Sequence, residues 1–510
     1  MRRAKACTAC RQRRRRCNTP GPGPGQPCTF CAAKGLLCSR SELENGAISS
    51  YAPDPREDCP FSRSLCAELI QLYFDYVHDQ FHTLFHPPSF VEDVNRGQAP
   101  RILVYGMMAL SARFSQDPCF SAVDPRQRGR GYAEGCRRLL DWTNVSLTTI
   151  QACVLLGAIA ITDGNPAAEN IYYTIACRIA QIMDLPNHPT DNPLEKEVNI
   201  RLWWALNMID VWSSAGVRLP RLLTPKPNVP LPIDEIVFRQ MTREMTKDQI
   251  PEPETRSSLL AEMVRLNRIL LQINDFNMRA SAEELDLDTI LGHVQDLSDQ
   301  LDVWLRELPD HIRDTRANME RYAAQGLGRV FAAIYLGYYH YGQMLFYRFL
   351  HEDSQASSTR TRHYAGKCKD HARGLCNIVY ASEEVPGCDV KYNMVGHVLV
   401  IASTVQIHSL LFEADDQQVA LARSRLEKNY VFLIRLRGLW PTLEFCMDRL
   451  MAFHEACKNS ADTSFYMDRW MVRFLVEFAS PVGDRDSCAK DRSPWSLELL
   501  ILPNEVTHGS

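Results

Sequence analysis

The sequence predicts an all-α protein, a small N-terminal cysteine module with two short helices followed by a large all-helical domain. Three observations predict it. Six of the 18 cysteines fall between residues 7 and 38, in a segment with few large apolar side chains. From about residue 65 onward the apolar residues recur at helical spacing. No convincing run of alternating apolar and polar residues announces a strand. The 510 residues, 45% apolar and 23% charged, can bury a large core. The organisation expected is a module at 1–40, a linker at 41–64, a helical body at 65–480 and a tail at 481–510.

The net charge of −4 conceals an asymmetry. Residues 1–40 hold ten Lys or Arg and no acid. This leaves 47 of the 57 basic residues against all 61 acidic ones in the remainder, a charge of −14. A basic end on an acidic body points to a polyanionic partner at that end. The basic N-terminus is not followed by an apolar stretch of the secretory kind. No window of about 18 uninterrupted apolar residues occurs, so no membrane span is expected. The thiols are then expected in a reducing compartment, as free or metal-bound cysteines instead of disulfides.

The first element is the cysteine module. Cys7, Cys10 and Cys17 repeat the spacing of Cys28, Cys31 and Cys38, C-x2-C-x6-C in each half. The ten residues between the halves, "NTPGPGPGQP", read as a turn. A C-x2-C pair can place two thiolates on one metal at the start of a helical turn, and the third cysteine returns after it. Structural zinc takes four ligands in a tetrahedron. Six thiolates complete two tetrahedra only if two of them bridge both metals. By the symmetry of the repeat these are expected to be the first of each half, Cys7 and Cys28. The segment therefore predicts two zinc ions. Phe30, Leu36 and Leu37 are its large apolar residues, too few for a core, so the metal must hold it together.

Between Cys7 and Cys17 lie five arginines and no acid: "CTACRQRRRRC". A disulfide has no need of that charge, whereas a metal cluster that lies against an anion does. The stretch after Cys7–Cys10 is expected to form the first short helix, Ala9 to about Arg16. "TFCAAKGLLC" forms its counterpart, ended by Gly35.

The pattern C-x2-C-x6-C-x10-C-x2-C-x6-C, basic before the third cysteine and with Pro27 before the fourth, resembles the fungal binuclear zinc cluster of transcription regulators. The resemblance implies that the basic pair in the middle of the first helix, here Arg13 and Arg14, reads a CGG triplet in the DNA major groove. The usual second residue of that pair is lysine, so Arg14 departs from the pattern. Arginine can still bond guanine O6 and N7 with two N–H groups. Thr8 and Asn18 also depart, standing where acidic residues are common. Lys5, Arg11, Arg15, Arg16 and Lys34 are assigned to phosphates or solvent, contacts that position a protein without reading bases. The run "RQRRRR" also fits nuclear import.

The linker follows. Gly46, Pro53, Pro55 and Pro60 interrupt residues 39–64 and rule out a sustained heptad repeat. A homodimer, if formed, would have to use the helical body.

In the body, "IQACVLLGAIAI" (150–161) reads as a buried helix, and "DGNP" (163–166) breaks it from the next. "NIYYTIACRIAQIMDL" sets Ile171, Ile175, Ile179 and Ile182 on one stripe. Trp203 and Trp204 lie on an amphipathic helix and are expected in the core. "SAEELDLDTILGHVQDLSDQLDVWLREL" opens on an expected capping box, Ser281 to Glu284, and aligns Ile290, Val294, Leu297 and Leu301. Two further long helices are expected within 329–351 and 391–412. "FHTLFHPPSF", "ALSARFS", "YYTIACRIAQIMDL" and "IRLWWALNMIDVWSSAGVRLP" resemble, in order, phrases of the middle regulatory region of the same fungal family. That implies a regulatory body but names no pocket residue.

No G-x-S-x-G elbow, H-E-x-x-H, phosphate loop or dinucleotide fingerprint occurs, so no enzyme is expected. Histidines in "GYYHYGQ" and "STVQIHSLL" read as satisfied core or surface residues. The tail "SPWSLELLILPNEV" is either a docked terminal helix or a segment that folds onto coactivators. Together these readings predict a nuclear, DNA-binding transcription regulator with two zinc ions, a duplex partner and no membrane. The alternative is a zinc-stabilised module that binds an acidic protein or RNA.

Overall fold

The computed structural model describes Thr29 and residues 63–478, apart from residues 81, 225, 227, 251–257, 284 and 352–357. The chain divides into two units, Met1–Arg63 and Ser64–Ser510. Among the described residues there is no strand. One isolated bridge joins His78 to His82. The body is all-α.

Helix α1 (Arg63–Tyr76) runs into an irregular knot at 77–86, and α2 (Pro87–Arg96) follows. Helices α3 (Arg101–Ser111) and α4 (Arg130–Leu139) pack on each other and on α5 (Leu147–Thr162). Helix α6 (Pro166–Ile182) returns along α5, and the long α7 (Pro193–Val217) packs on α6. A short α8 (Glu235–Gln240) precedes α9 (Leu259–Ala282), α10 (Leu287–Glu307), α11 (Arg316–Ala324) and α12 (Gly328–Phe346). The body closes with α13 (Thr359–Glu384), α14 (Met394–Phe412), α15 (Asp416–Arg437), α16 (Leu443–Asn459), the single turn α17 (Ala461–Ser464) and α18 (Arg469–Val476). Helix α12 is central, packing against α9, α10, α11, α13 and α14.

Local chemistry sets the helix starts. Ser146 accepts from Thr149 N, Asn165 from Ala168 N, and Asn192 from Leu194 N and Glu195 N. Pro166 and Pro193 stand at first helical positions, where a missing N–H costs nothing. The break "DGNP" lies between α5 and α6 as expected, with Gly164 at φ 77° turning the chain.

Two expectations need correction. The isoleucine stripe of α6 is not its buried face. Ile171 and Ile182 are 61% and 62% exposed, while Tyr173, Ala176, Cys177, Ile179 and Ala180 are buried. Small residues win that face because α5 and α6 approach closely. A Cβ on Gly157 would stand 2.2 Å from the Tyr173 ring. The capping box at Ser281 also does not form. Ser281 belongs to the end of α9, its hydroxyl donating to Met278 O at 2.9 Å. Helix α10 starts instead at Asp286, which accepts from Thr289 N at 2.9 Å, and Glu284 lies outside the described residues. Val294, Leu297 and Leu301 are buried as expected.

Trp203 and Trp204 are core residues, as their helix predicts. Helix α14 is long and apolar enough to cross a membrane by composition, but 78% of that stretch is buried inside the body. An apolar helix needs no lipid when other helices surround it.

Candidate functional site

The predicted zinc ligands Cys7, Cys10, Cys17, Cys28, Cys31 and Cys38 all lie outside the described residues. So do the predicted DNA contacts Lys5, Arg11, Arg13, Arg14, Arg15, Arg16 and Lys34, the linker to residue 62, and the tail from 479. Among the described residues, no group of three or more His, Cys, Asp or Glu is arranged to hold a metal.

The body has a site of its own, and a buried ionic junction fixes its walls. Arg201 of α7 donates from Nε to Glu197 Oε1 at 2.8 Å and from Nη2 to Ile233 O at 2.5 Å. Its Nη1 lies 3.9 Å from Glu235 Oε1, and its guanidinium sits 4.0 Å from the centre of the Phe238 ring. Glu197 Oε1 also accepts from Ile233 N at 3.0 Å. Glu235 accepts from Leu259 N and Leu260 N, each at 3.0 Å, and so closes the start of α9. All three charged side chains are buried. Burial pushes both carboxyls up and the Arg201 charge works against it. One guanidinium thereby ties α7, α8 and α9 together.

The knot before α2 fixes a second wall. His78 Nε2 accepts from Leu84 N and Phe85 N, both at 3.2 Å. Gln151 of α5 donates to Leu84 O at 2.7 Å. His86 caps α2 and holds Phe238 O at 2.9 Å through its other ring nitrogen. Leu84 and His86 of "FHTLFHPPSF" thus tie the knot to α5 and α8, and Gln80 and His82 line the space beside it.

Between these walls lies a cavity of about 110 Å³. Helix α7 contributes Met208, Ile209 and Trp212, and α9 contributes Met263, Leu266 and Asn267. Helix α12 lines it from Ala333 to Tyr341, and α14 adds Met394, Val395 and Val398. Glu169 and Tyr173 of α6, Tyr392 and Phe478 complete it. No lining residue is exposed. His340 stacks on Trp212, with ring centres 5.6 Å apart and planes at 18°.

Several buried polar atoms on this wall have no hydrogen-bond partner in the protein: both ring nitrogens of His340, His82 Nε2, Gln80 Nε2 and Asn267 Oδ1. This differs from the expectation for "GYYHYGQ", whose histidine was to be a satisfied one. His408 in "STVQIHSLL" meets it in part: Nε2 bonds Leu350 O at 2.7 Å, while Nδ1 has no partner in the protein. Burial pushes the His340 imidazole down to about 3. It does the same to His82, helped by the neighbouring His78. Burial pushes the Glu169 carboxyl up to about 8, against a hydrogen bond with Ser213. At neutral pH the two imidazoles are uncharged and Glu169 is mostly protonated. The set can bind by hydrogen bonds and apolar contact.

Sequence reasoning did not find this cavity. Its residues are spread from position 80 to 478, and nothing in their spacing announces that they meet. The signal was partial: His82, Tyr173, Met208, Ile209 and Trp212 all fall inside the four phrases of the regulatory region.

Two family descriptions match the chain. The fungal Zn(2)-Cys(6) binuclear cluster domain matches residues 5–45, and the fungal specific transcription factor domain matches residues 70–306. The first is a domain that holds two zinc ions through six cysteines. The chain is similar to the Zn(2)-C6 fungal-type transcription factor FTF1c of Fusarium oxysporum f. sp. lycopersici, 20% identical over 81% of this chain and 48% of that protein. It is also similar to an uncharacterized transcriptional regulatory protein of Schizosaccharomyces pombe, 24% identical over 54% of this chain and 32% of that one. A second such protein from the same yeast is 22% identical over 76% of this chain and 52% of its own length. The chain thus spans about half or less of these relatives. The family is one of transcription factors and not of enzymes. With the cluster domain first and the regulatory domain after it, the chain belongs to the fungal Zn(2)-Cys(6) transcription factors.

Proposed function

We propose that this chain is a nuclear transcription regulator that reads a CGG-like triplet in duplex DNA. One observation carries the reading: five arginines and no acid stand between Cys7 and Cys17, inside the matched cluster domain. Cys7, Cys10, Cys17, Cys28, Cys31 and Cys38 would hold the two zinc ions, with Cys7 and Cys28 shared between them. Six thiolates suit that task, since thiolate is a preferred zinc ligand and six can serve two tetrahedra by bridging. The zinc ions supply the fold of a segment that has little core of its own.

Arg13 and Arg14 would enter the major groove and bond guanine edges, each good bidentate contact giving about 1–3 kcal/mol of discrimination. Lys5, Arg11, Arg15, Arg16 and Lys34 would neutralise phosphates. These contacts raise affinity for any sequence and weaken steeply with salt. The acidic remainder of the chain repels the duplex and leaves the N-terminal module as the contact surface. The helical body would supply regulation, and a homodimer, coactivators at the tail and control of a single pathway, such as a specialised-metabolite gene cluster, belong to this proposal.

The test is a binding selection with the zinc-loaded full chain against random duplexes. Enrichment of a CGG-like triplet supports direct guanine reading, and one triplet or a spaced pair distinguishes monomer from dimer. Absence of enrichment with two zinc ions bound overturns it, and leaves a zinc-stabilised module that binds an acidic protein or RNA.

A further inference from the structure

We propose that the cavity between α6, α7, α9, α12 and α14 is a binding site for a small, uncharged, planar molecule that carries a hydroxyl, ring N–H or carbonyl group. Three observations lead there. The first is shape and lining. A cavity of about 110 Å³ can take a ring system, and Trp212, Tyr173, Tyr341, Tyr392 and Phe478 offer aromatic walls. Met208, Met263 and Met394 add side chains that adapt to an occupant.

The second is the set of polar atoms with no protein partner. His340, His82, Gln80 and Asn267 are 1%, 3%, 4% and 6% exposed, and each lines the cavity and carries at least one such atom. A buried polar atom without a partner is costly, and the great majority in folded proteins have one. Whatever fills the cavity must answer these atoms. Water alone answers them poorly, because most of the wall is carbon and an ordered water needs about two to four polar partners.

The third is charge. The polar groups on the wall are uncharged or mostly protonated at neutral pH, since burial holds both imidazoles neutral and keeps a proton on Glu169. An anionic ligand would lose its hydration and gain no counter-charge, and a cationic one gains a counter-charge only if Glu169 gives up its proton. The site therefore selects neutral molecules.

This inference does not rest on DNA reading, because binding to the body is measured without DNA. The probes are indole and 4-methylphenol, which are neutral and hydrogen-bonding; toluene, which is neutral and apolar; and benzoate and benzylamine, which are charged. Each is titrated into the full chain, following Trp fluorescence and the thermal midpoint, which a ligand of the native state raises with concentration. Indole and 4-methylphenol are expected to bind at least about 10-fold more tightly than the charged probes. His340→Leu is expected to weaken 4-methylphenol by about 10-fold and leave toluene unchanged. Gly337→Leu fills the space. A Cβ there meets the Tyr341 side chain at an ordinary 3.5 Å, and the variant is expected to abolish binding of every probe. Ala333→Leu on the same wall serves if that variant does not fold. No saturable binding by the neutral probes overturns the proposal. So does binding that survives in a folded filling variant, or charged probes that bind as well as neutral ones.

Discussion

Replacing Arg201 with methionine should break the junction that holds α7, α8 and α9. Methionine keeps most of the apolar stem and removes only the charge and its donors. What stays behind is the cost. The side chains of Glu197 and Glu235 are 6% and 4% exposed and would face each other's charge with no cation between them. Removing one partner of a buried pair costs about 3–5 kcal/mol, since the remaining charge is neither paired nor hydrated. The lost contact with the Phe238 ring lies within that figure. Against a typical domain stability of about 5–15 kcal/mol this is a large fraction. Urea unfolding followed by helical circular dichroism measures it, with an unchanged slope showing that the same surface unfolds.

The pH dependence gives this prediction its sharper edge. Burial already holds both carboxyls above their ordinary range, and loss of Arg201 raises them further. A carboxyl whose folded pKa is raised binds its proton more tightly in the folded state, so it destabilises above that pKa and the penalty fades as pH falls through it. The deficit of Arg201→Met should therefore be larger at pH 8 than at pH 5.5. Adding Glu197→Gln should recover part of it, because the amide oxygen can still accept from Ile233 N. A loss below about 1 kcal/mol at pH 8, or a deficit that does not change with pH, would refute the account of the junction.

Three further outcomes are expected. Arg14→Ala should cost about 1–3 kcal/mol on a guanine-bearing target and far less on a scrambled duplex, read by fluorescence anisotropy at fixed salt; equal weakening of both would make Arg14 a phosphate contact. Gly342→Ala should lose about 1–3 kcal/mol in urea unfolding, because its Cβ would stand 2.3 Å from the His371 ring where α12 meets α13; an undisturbed stability would contradict that approach. Finally, burial holds His82 and His340 at about 3, and His371 and His408 at about 4. Below the unfolded value of about 6.5 the unfolded chain binds more protons than these folded sites, so stability should fall from pH 7 to pH 5.5, with each histidine approaching about 1.4 kcal/mol per pH unit. Carboxyls that burial raises, among them Glu169 at about 8, Glu197 and Glu235, act in the opposite sense over that window, while His86 at about 4 and His397, also held down by burial, add to the histidines' side; a stability that holds steady would show that these histidines are not buried in their neutral form.

The helices were legible because their signals are local. The break at "DGNP", the buried run at 150–161 and the Trp203–Trp204 pair each follow from a few adjacent residues, and each lies where expected. Faces were harder to read. On α6 large isoleucines marked the wrong side, because α5 offered Gly157 to the Tyr173 ring and close approach favoured alanine and cysteine. At α10 the capping box expected at Ser281 gave way to a cap five residues later, at Asp286. Continuation of α9 through Ala282 decided it, and sequence alone does not show how far a helix continues. The cavity was least legible. Gln80 and His82 line it with α12 and α14 because His78 closes the knot on Leu84 and Phe85, and long-range bonds from His86 to Phe238 O and from Gln151 to Leu84 O tie that knot down.

The match to the fungal specific domain ends at residue 306, at the close of α10, but the physical unit does not end there. Helix α12 begins at Gly328 and packs against both α9 and α10. The buried faces of those two helices, with Val264, Leu266, Leu297 and Leu301 among them, need it as cover. Cut at 306, the chain would open this core to water. The same geometry divides the cavity. Met208, Trp212 and Asn267 come from the matched segment, whereas His340, Tyr341, Tyr392 and Val395 come from beyond it. Neither half encloses a binding space alone. If the cavity binds a ligand, its choice is written partly in the segment that carries no family match. A change at His340 or Gly337 could alter what the body binds while the recognisable half kept its fold.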